Sequence, residues 1–100
     1  MQIKSPKTHK EFKLYYYKRW FVLRKPLGQK LGSEKDSIEN ESIHRMILVE
    51  KDVVAAVGRM HFNSLTEAQI RYMAVDEKFQ SKGYGSLIID DFEKIAIKKN

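Results

Sequence analysis

The sequence contains no cysteine, and this absence excludes several kinds of chemistry at once. Disulfide bonds, thiolate nucleophiles and cysteine-ligated zinc are all ruled out. The absence also fits a reducing compartment. We therefore expect no metal centre and no nucleophilic cysteine, and any group transfer has to proceed without a thiol on the protein.

Long apolar runs are also missing. No stretch approaches the ~20 apolar residues that a membrane-spanning helix needs, and the first residues, Met1 to Pro6, lack the apolar segment of a signal peptide. We expect a cytoplasmic protein with no membrane contact.

The composition indicates one domain covering residues 1–100. Hydrophobic residues make up 42% of the chain, which is enough for a core, and charged residues make up 32%. The net charge of +6 lies mostly in residues 1–50, where eleven Lys and Arg face six Asp and Glu. A basic face attracts nucleic acid, acidic lipid or a polyanionic cofactor, or it is simply solvated, and composition does not separate these alternatives.

The first half of the chain predicts a strand followed by an aromatic-rich helix. Residues 1–4 are predicted as a strand, and Ser5-Pro6 is typical of a helix start, with Ser5 as the N-cap. The helix should continue to about Arg24, because Pro26 disfavours helix in the residue before it. Its aromatic residues, interleaved with Lys18 and Arg19, either stack on nucleic-acid bases or pack against a sheet, and their helical spacing favours packing.

Residues 25–42 are polar and rich in turn residues, and a short second helix is predicted there. A stretch of this length is longer than is needed to connect two elements of a small domain, and such loops often face a substrate. Three antiparallel strands follow, around residues 46–49, 53–62 and 67–75, with Gly58 marking a bulge or a close approach. Their continuous apolar character predicts a sheet that is buried on both faces.

A glycine loop, Gln80-Ser81-Lys82-Gly83-Tyr84-Gly85-Ser86, joins the last strand to an amphipathic helix over residues 87–98. Free N–H groups and the dipole at a helix start favour a phosphate or pyrophosphate at this place. A Walker loop does not fit, because Leu87 stands where that loop needs serine or threonine. A Rossmann fingerprint does not fit either, since its third glycine is missing and the strands are antiparallel.

The pattern Gln80-x-x-Gly83-x-Gly85 after an apolar strand resembles the acetyl-coenzyme A signature of the GNAT acetyltransferase superfamily. The whole chain is similar to the N-terminal two-thirds of that superfamily, including the phrases at residues 57–61 and 70–75. The resemblance implies an α+β fold, with a mostly antiparallel central sheet flanked by helices. It also implies direct transfer of an acetyl group from acetyl-coenzyme A to a primary amine of a small molecule or peptide.

The resemblance also implies roles for particular residues. Backbone N–H groups of Ser81, Lys82, Gly83, Tyr84, Gly85 and Ser86 would bind the pyrophosphate, with added charge from the Lys82 side chain. Met73, Ala74 and Val75 would pair with the pantetheine arm like an added strand, and an N–H near Val75 would polarise the thioester carbonyl.

The general base is the open point of this interpretation. A glutamate of the histone-acetylating branch matches Gln69 here, and glutamine cannot accept the proton. Glu67, two residues earlier, and His61, on the neighbouring strand, are the candidates for the base. Each also has a structural interpretation, Glu67 as a surface charge and His61 as a hydrogen-bonded sheet residue.

The resemblance further implies strands and a helix after residue 100. We therefore expect either a truncated chain or one that completes its sheet through a partner, such as a second copy on the edge of the last strand. Two other functions stay open: a coenzyme A-binding or regulatory module without turnover, and, with less support, a nucleic-acid binder that uses the basic aromatic helix.

Overall fold

The protein folds as a four-stranded antiparallel sheet with one helix on each face, in a computed structural model that describes residues 1–99. The elements in chain order are β1 (Gln2–Lys4), α1 (His9–Leu23), β2 (Ile43–Glu50), β3 (Val53–Phe62), β4 (Ala68–Val75) and α2 (Tyr84–Lys99). The strands lie in the order β1-β2-β3-β4. The predicted α+β class and antiparallel sheet are confirmed.

Two apolar layers hold the helices on the sheet. Tyr15 of α1 packs with Met46, and Ile88 and Phe92 of α2 pack with Ile47. Because successive side chains of a strand point to opposite faces, the Met46–Ile47 pair places α1 and α2 on opposite sides. β3 runs through the middle and is buried almost throughout, whereas the first half of β4 is mostly exposed. The prediction of a sheet buried on both faces therefore holds for β3 and is wrong for β4.

The start of α1 differs from the prediction. Thr8, and not Ser5, is the N-cap: its hydroxyl accepts the N–H of Glu11 at 3.0 Å, and the Glu11 carboxylate accepts the N–H of Thr8 at 3.3 Å. This reciprocal capping box satisfies two N–H groups that Ser5 could not reach together. Ser5 instead accepts a hydrogen bond from Arg45.

The segment between α1 and β2 forms no α-helix. It contains two 3₁₀ turns, Lys25–Leu27 and Glu39–Glu41, with Gly28 closing the first at a φ of 72°. The predicted second helix is therefore replaced by turns, and two acidic side chains of the segment point inward. Glu34 and Glu39 are both buried.

Only some aromatic side chains of α1 pack inward. Tyr15 is fully buried, while Tyr17 and Phe21 are exposed. The two cations among them are not free: Lys18 pairs with Asp76 and lies over the Phe21 ring, and Arg19 is completely buried against Tyr15 and Tyr16. This arrangement counts against base stacking by an open basic helix.

Within residues 1–99, β4 is an edge strand whose outer side has no partner. Pairing of that edge with a second copy stays a prediction. No helix in the described part of the chain is long and apolar enough to cross a bilayer.

Candidate functional site

The glycine loop is a short, exposed connection between β4 and α2. Asp76 caps a 3₁₀ turn, Glu77–Phe79, by accepting the N–H of Lys78 at 3.0 Å. The backbone then passes through positive φ angles of 66° at Ser81 and 80° at Gly83 before α2 begins at Tyr84. The helix starts three residues earlier than predicted, so Tyr84, Gly85 and Ser86 form its first turn.

The loop presents a row of free backbone donors. The first bond of α2 joins the N–H of Leu87 to the carbonyl of Gly83 at 3.0 Å. Among residues 1–99, the N–H groups from Ser81 to Ser86 have no acceptor. A Cβ on Gly83 would meet nothing within 4 Å, so the approach to these donors is open. This is the donor set that an anion with several oxygens requires.

The start of the loop is tied to α1. Lys18 forms a salt bridge with Asp76, whose side chain is 7% exposed. Burial opposes ionisation of Asp76, but the hydrogen bonds from Lys18 and the Lys78 N–H outweigh it, so the pKa of Asp76 lies below its usual value. The charged pair therefore fixes the end of β4 against the helix on the α1 face.

The outer edge of β4 leads directly to the loop. The N–H of Asp76 points inward and donates to the carbonyl of Ala55 at 2.9 Å. Because the direction of backbone hydrogen bonds alternates along an antiparallel strand, the N–H of Val75 points to the free edge. The structure thus brings an open strand edge and the donor loop together.

A bulge interrupts β4 next to this edge. Val57 pairs with Ala74 and Arg59 with Arg71, so Gly58 alone faces two residues, Tyr72 and Met73. Tyr72 has a φ of 55°, a left-handed conformation that side chains disfavour. In the sequence, only Gly58 indicated an irregularity at this point of the sheet. Nothing in the sequence predicted the positive φ of Tyr72.

A groove of about 520 Å³ extends from the loop across the end of β4 to the last turn of α1. Its lining is apolar on the helix side and polar near the loop: Phe21, Val22, Lys25, Pro26, Val75, Glu77 and Gln80. The groove connects the predicted loop with the C-terminal end of α1. No sequence motif had indicated that this end of α1 is part of the site.

The candidate bases lie at the far end of β4. His61 and Gln69 are register partners, and Glu67 precedes the strand. Asn63 connects all three, since its amide donates to Glu67 at 2.9 Å and to Gln69 at 3.1 Å while its oxygen contacts Nε2 of His61 at 3.0 Å. Glu67 is six residues from Met73, about 20 Å along a strand.

The hydrogen bonds of this cluster assign the tautomer of His61. Because the Asn63 amide nitrogen serves Glu67 and Gln69, its oxygen accepts from His61, so Nε2 carries the proton. In the neutral ring Nδ1 of His61 is then the acceptor nitrogen, and it is buried and without a partner among the described residues.

Sequence reasoning missed a buried ionic network behind the bulge. Arg19 of α1 and Arg59 of β3 are both 0% exposed and share the carboxylate of Glu39, at 2.9 and 3.0 Å. Arg59 also binds Asp36 at 2.6 Å and holds the pKa of that carboxyl well below its usual range. The one available signal was Arg19, four residues after Tyr15 on the buried stripe of α1.

No cluster of metal-binding side chains occurs in the part of the chain that the structure describes. The site therefore consists of backbone donors, an open strand edge, a groove and a polar cluster at the other end of the strand.

Comparison with known proteins agrees with this geometry. The solved structure of an aminoglycoside 6'-N-acetyltransferase complexed with coenzyme A superposes with a TM-score of 0.79 at 10% sequence identity. The match covers 99% of this chain and 57% of that protein, so the chain spans little more than half of its length. At this identity the likeness shows the shared fold. The model of the acetyltransferase (GNAT) family matches residues 6–100, and the chain belongs to that family.

Proposed function

We propose that the chain is an N-acetyltransferase that transfers an acetyl group from acetyl-coenzyme A directly to a primary amine. The observation that carries the proposal is the set of unpaired N–H groups from Ser81 to Ser86, placed beside the open edge of β4. Family membership supports the same reaction class.

The loop and the strand edge fit two different parts of this co-substrate. In the proposal, Gln80 to Ser86 hold the pyrophosphate through backbone donors and the helix dipole. Lys82 is exposed and adds positive charge. The backbone of Met73, Ala74 and Val75 pairs with the pantetheine arm as a further strand would.

The acetyl group would then lie beside the bulge of β4. An N–H of the strand edge polarises the thioester carbonyl and stabilises the charge that develops on its oxygen. The amine nitrogen attacks the carbonyl carbon, the carbon–sulfur bond breaks, and coenzyme A leaves as a thiol or thiolate. No acyl-enzyme forms, which agrees with the lack of cysteine.

The attacking amine has to lose a proton, and we propose His61 or Glu67 as the group that accepts it. Nδ1 of His61 has a free lone pair, and Glu67 is exposed. Both lie far from Met73 along the strand, so the proton would pass through water. The pH–rate profiles of His61→Gln and Glu67→Gln separate the two candidates. The variant that lacks the base should lose the part of the profile in which the rate rises with pH.

A thermal-shift assay tests cofactor binding. Acetyl-coenzyme A at a hundredfold excess over its dissociation constant should stabilise the fold by about 2.7 kcal/mol. Gly83→Leu, alone and combined with Gly85→Leu, should remove the shift, because the added side chain covers the loop donors. Gly28→Leu is the matched control, since Gly28 has a similar φ of 72° and open surroundings away from the loop.

Thiol release over a panel of amines, including an aminoglycoside, a polyamine and a lysine peptide, tests transfer. Cofactor binding without release for any amine would indicate a coenzyme A-binding module instead, in which Gln69 has replaced the base. An unchanged thermal shift in Gly83→Leu would remove the basis of the proposal.

A further inference from the structure

Tyr72 occupies an unusual position in β4. It is part of the bulge opposite Gly58, and its φ of 55° is sterically disfavoured for a residue with a Cβ. Conformations of this kind persist where surrounding contacts over-determine them. The side chain and its neighbours therefore have to supply the contacts that keep the bulge in place.

Two buried arginines enclose the Tyr72 ring. The guanidinium carbons of Arg19 and Arg59 lie 4.7 and 4.6 Å from its centroid, within the range of a cation–π contact. Both arginines are 0% exposed, so these contacts are desolvated. The guanidinium of Arg71 is 5.2 Å away, but Arg71 is exposed.

Carboxylates of the segment before β2 hold the two guanidinium groups. Glu39 accepts from Arg19 and from Arg59, and Asp36 accepts from Arg59 through one oxygen and from the Tyr72 hydroxyl through the other, at 3.3 Å. The Tyr72 ring, the two guanidinium groups and the two carboxylates thus contact one another in one network, in which Nε of both arginines and one terminal nitrogen of Arg59 have no partner among the described residues. We call the Arg19–Tyr72–Arg59 arrangement the arginine clamp.

The strand opposite the bulge is also fixed. The hydroxyl of Tyr15 donates to the carbonyl of Gly58 at 2.9 Å from the α1 side. On the other side, a Cβ at Gly58 would lie 2.9 Å from Ile88 and 3.1 Å from Phe92, so α2 packs directly on its backbone. The clamp is therefore built against a rigid β3, and its contacts act on β4.

We propose that the arginine clamp is a positioning device that holds the β4 bulge and thereby fixes the direction in which the Met73 N–H, on the free edge of the sheet, points to the acetyl carbonyl. This inference rests on the proposed function. Tyr72 and the two arginines touch neither co-substrate nor acceptor in it; they act through the backbone. Asp36 and Glu39 link the same backbone to the segment that precedes β2.

Arg59→Lys tests the clamp, because lysine keeps the charge but loses the planar stack and the fork of donors. Tyr72→Phe is the second variant; it retains the ring and removes only the bond to Asp36. Arg45→Lys is the matched control, since Arg45 also pairs with a carboxylate, Asp91, on the opposite face of the sheet.

The first readout needs no ligand. The three-bond coupling between the amide and α protons of Tyr72, measured by NMR, reports its φ. In Arg59→Lys we expect the coupling to move towards the larger value of extended backbone, together with a shift of the Met73 amide resonance. In Arg45→Lys both should match the original protein.

The second readout compares acetyl-coenzyme A with coenzyme A. The carbonyl stretch of bound [¹³C]acetyl-coenzyme A should return towards its free frequency in Arg59→Lys. Its affinity advantage over coenzyme A should fall about tenfold, the worth of one hydrogen bond. Affinity for coenzyme A itself should stay within about twofold, because the loop donors are untouched. Tyr72→Phe should change both measures in the same direction by less.

Unchanged coupling, carbonyl frequency and affinity ratio in a folded Arg59→Lys would overturn the clamp. If Arg59→Lys does not fold, Tyr72→Phe decides by the same measures. If the original protein binds neither ligand, the proposed function fails, while the NMR coupling still tests the clamp by itself.

Discussion

At the scale of single residues, the two loop glycines have different physical roles despite standing two positions apart. Gly83 has a φ of 80° with open space around its Cα, whereas Gly85 lies in the first turn of α2 without a positive φ. Their spacing marked the connection between β4 and α2, although the helix begins between them at Tyr84. The spacing did not predict which of the two glycines adopts a positive φ.

Gly83→Ala should therefore destabilise the protein by about 1 kcal/mol through left-handed strain alone. Gly85→Ala should be neutral or stabilising by up to about 0.5 kcal/mol, because alanine suits a helix better and its Cβ would lie an ordinary 3.6 Å from Val75. Urea unfolding of both variants measures the difference. Equal losses of stability would contradict this assignment.

Gly58 has a packing role. A methyl group there would lie 2.9 Å from Ile88, closer than real contacts come, and a tight 3.1 Å from Phe92. Gly58→Ala should cost about 1–3 kcal/mol, because α2 has to move away from β3. Denaturant midpoints measure the cost, and Gly58→Ala combined with Ile88→Leu, which lacks the Cγ2 methyl that would clash, should recover part of it. No recovery would show that the cost lies elsewhere.

At the scale of elements, the strands and helices follow from periodicity, while their ends depend on single side chains. The apolar runs predicted β2, β3 and β4 within a few residues. The start of α1 was misplaced because Ser5-Pro6 and Thr8 both carry start signals, and only the reach of Glu11 to two N–H groups favours Thr8. Competing caps of this kind are decided by local geometry.

The cap of α1 makes its stability depend on pH. The hydrogen bond from Lys4 and the backbone N–H groups of Lys7 and Thr8 lower the pKa of Glu11 to about 2. A depressed carboxyl pKa adds stability above the ordinary value of 4.5, and that stability is lost as pH falls towards 2. Glu11→Gln should thus be less stable at neutral pH and equal to the original protein near pH 2.

Thermal melts at several pH values measure this convergence. Glu41→Gln, which changes an exposed glutamate in the segment before β2, is the control and should leave the profile unchanged. A gap between Glu11→Gln and the original protein that persists at the lowest pH would contradict the capping explanation.

At the scale of the whole molecule, a polar network joins residues from three segments that lie far apart in the sequence. Arg19, Glu39 and Arg59 come from α1, the segment before β2, and β3, and they meet beneath the β4 bulge. Each side chain alone suggests a solvated surface, because charged residues are seldom buried without partners. Their burial depends on pairing across the fold, so a local sequence pattern could not predict it.

His44 belongs to this network and connects it to global stability. Its Nε2 donates to the carbonyl of Glu39 at 2.8 Å, and its Nδ1 contacts the Tyr15 hydroxyl at 2.8 Å. Burial lowers the pKa of His44 from 6.5, and the nearby Arg19 and Arg59 act in the same direction, opposed by Glu39.

A lowered histidine pKa means that the unfolded chain binds more protons than the folded one below pH 6.5. Stability should therefore decline as pH falls from 6.5 to about 5, a range in which Asp36 and Asp76 are ionised in both states. His44→Gln should be less stable at pH 7 but should show a flatter profile over that range. His9→Gln, at the exposed start of α1, is the matched control.

Urea unfolding at intervals between pH 5 and pH 7.5 measures these profiles directly. Parallel curves for His44→Gln and the original protein would show that the network does not hold His44 neutral. A flatter curve for His44→Gln alone would show that one buried imidazole, fixed by contacts from three separate segments, sets the response of the whole fold to mild acid.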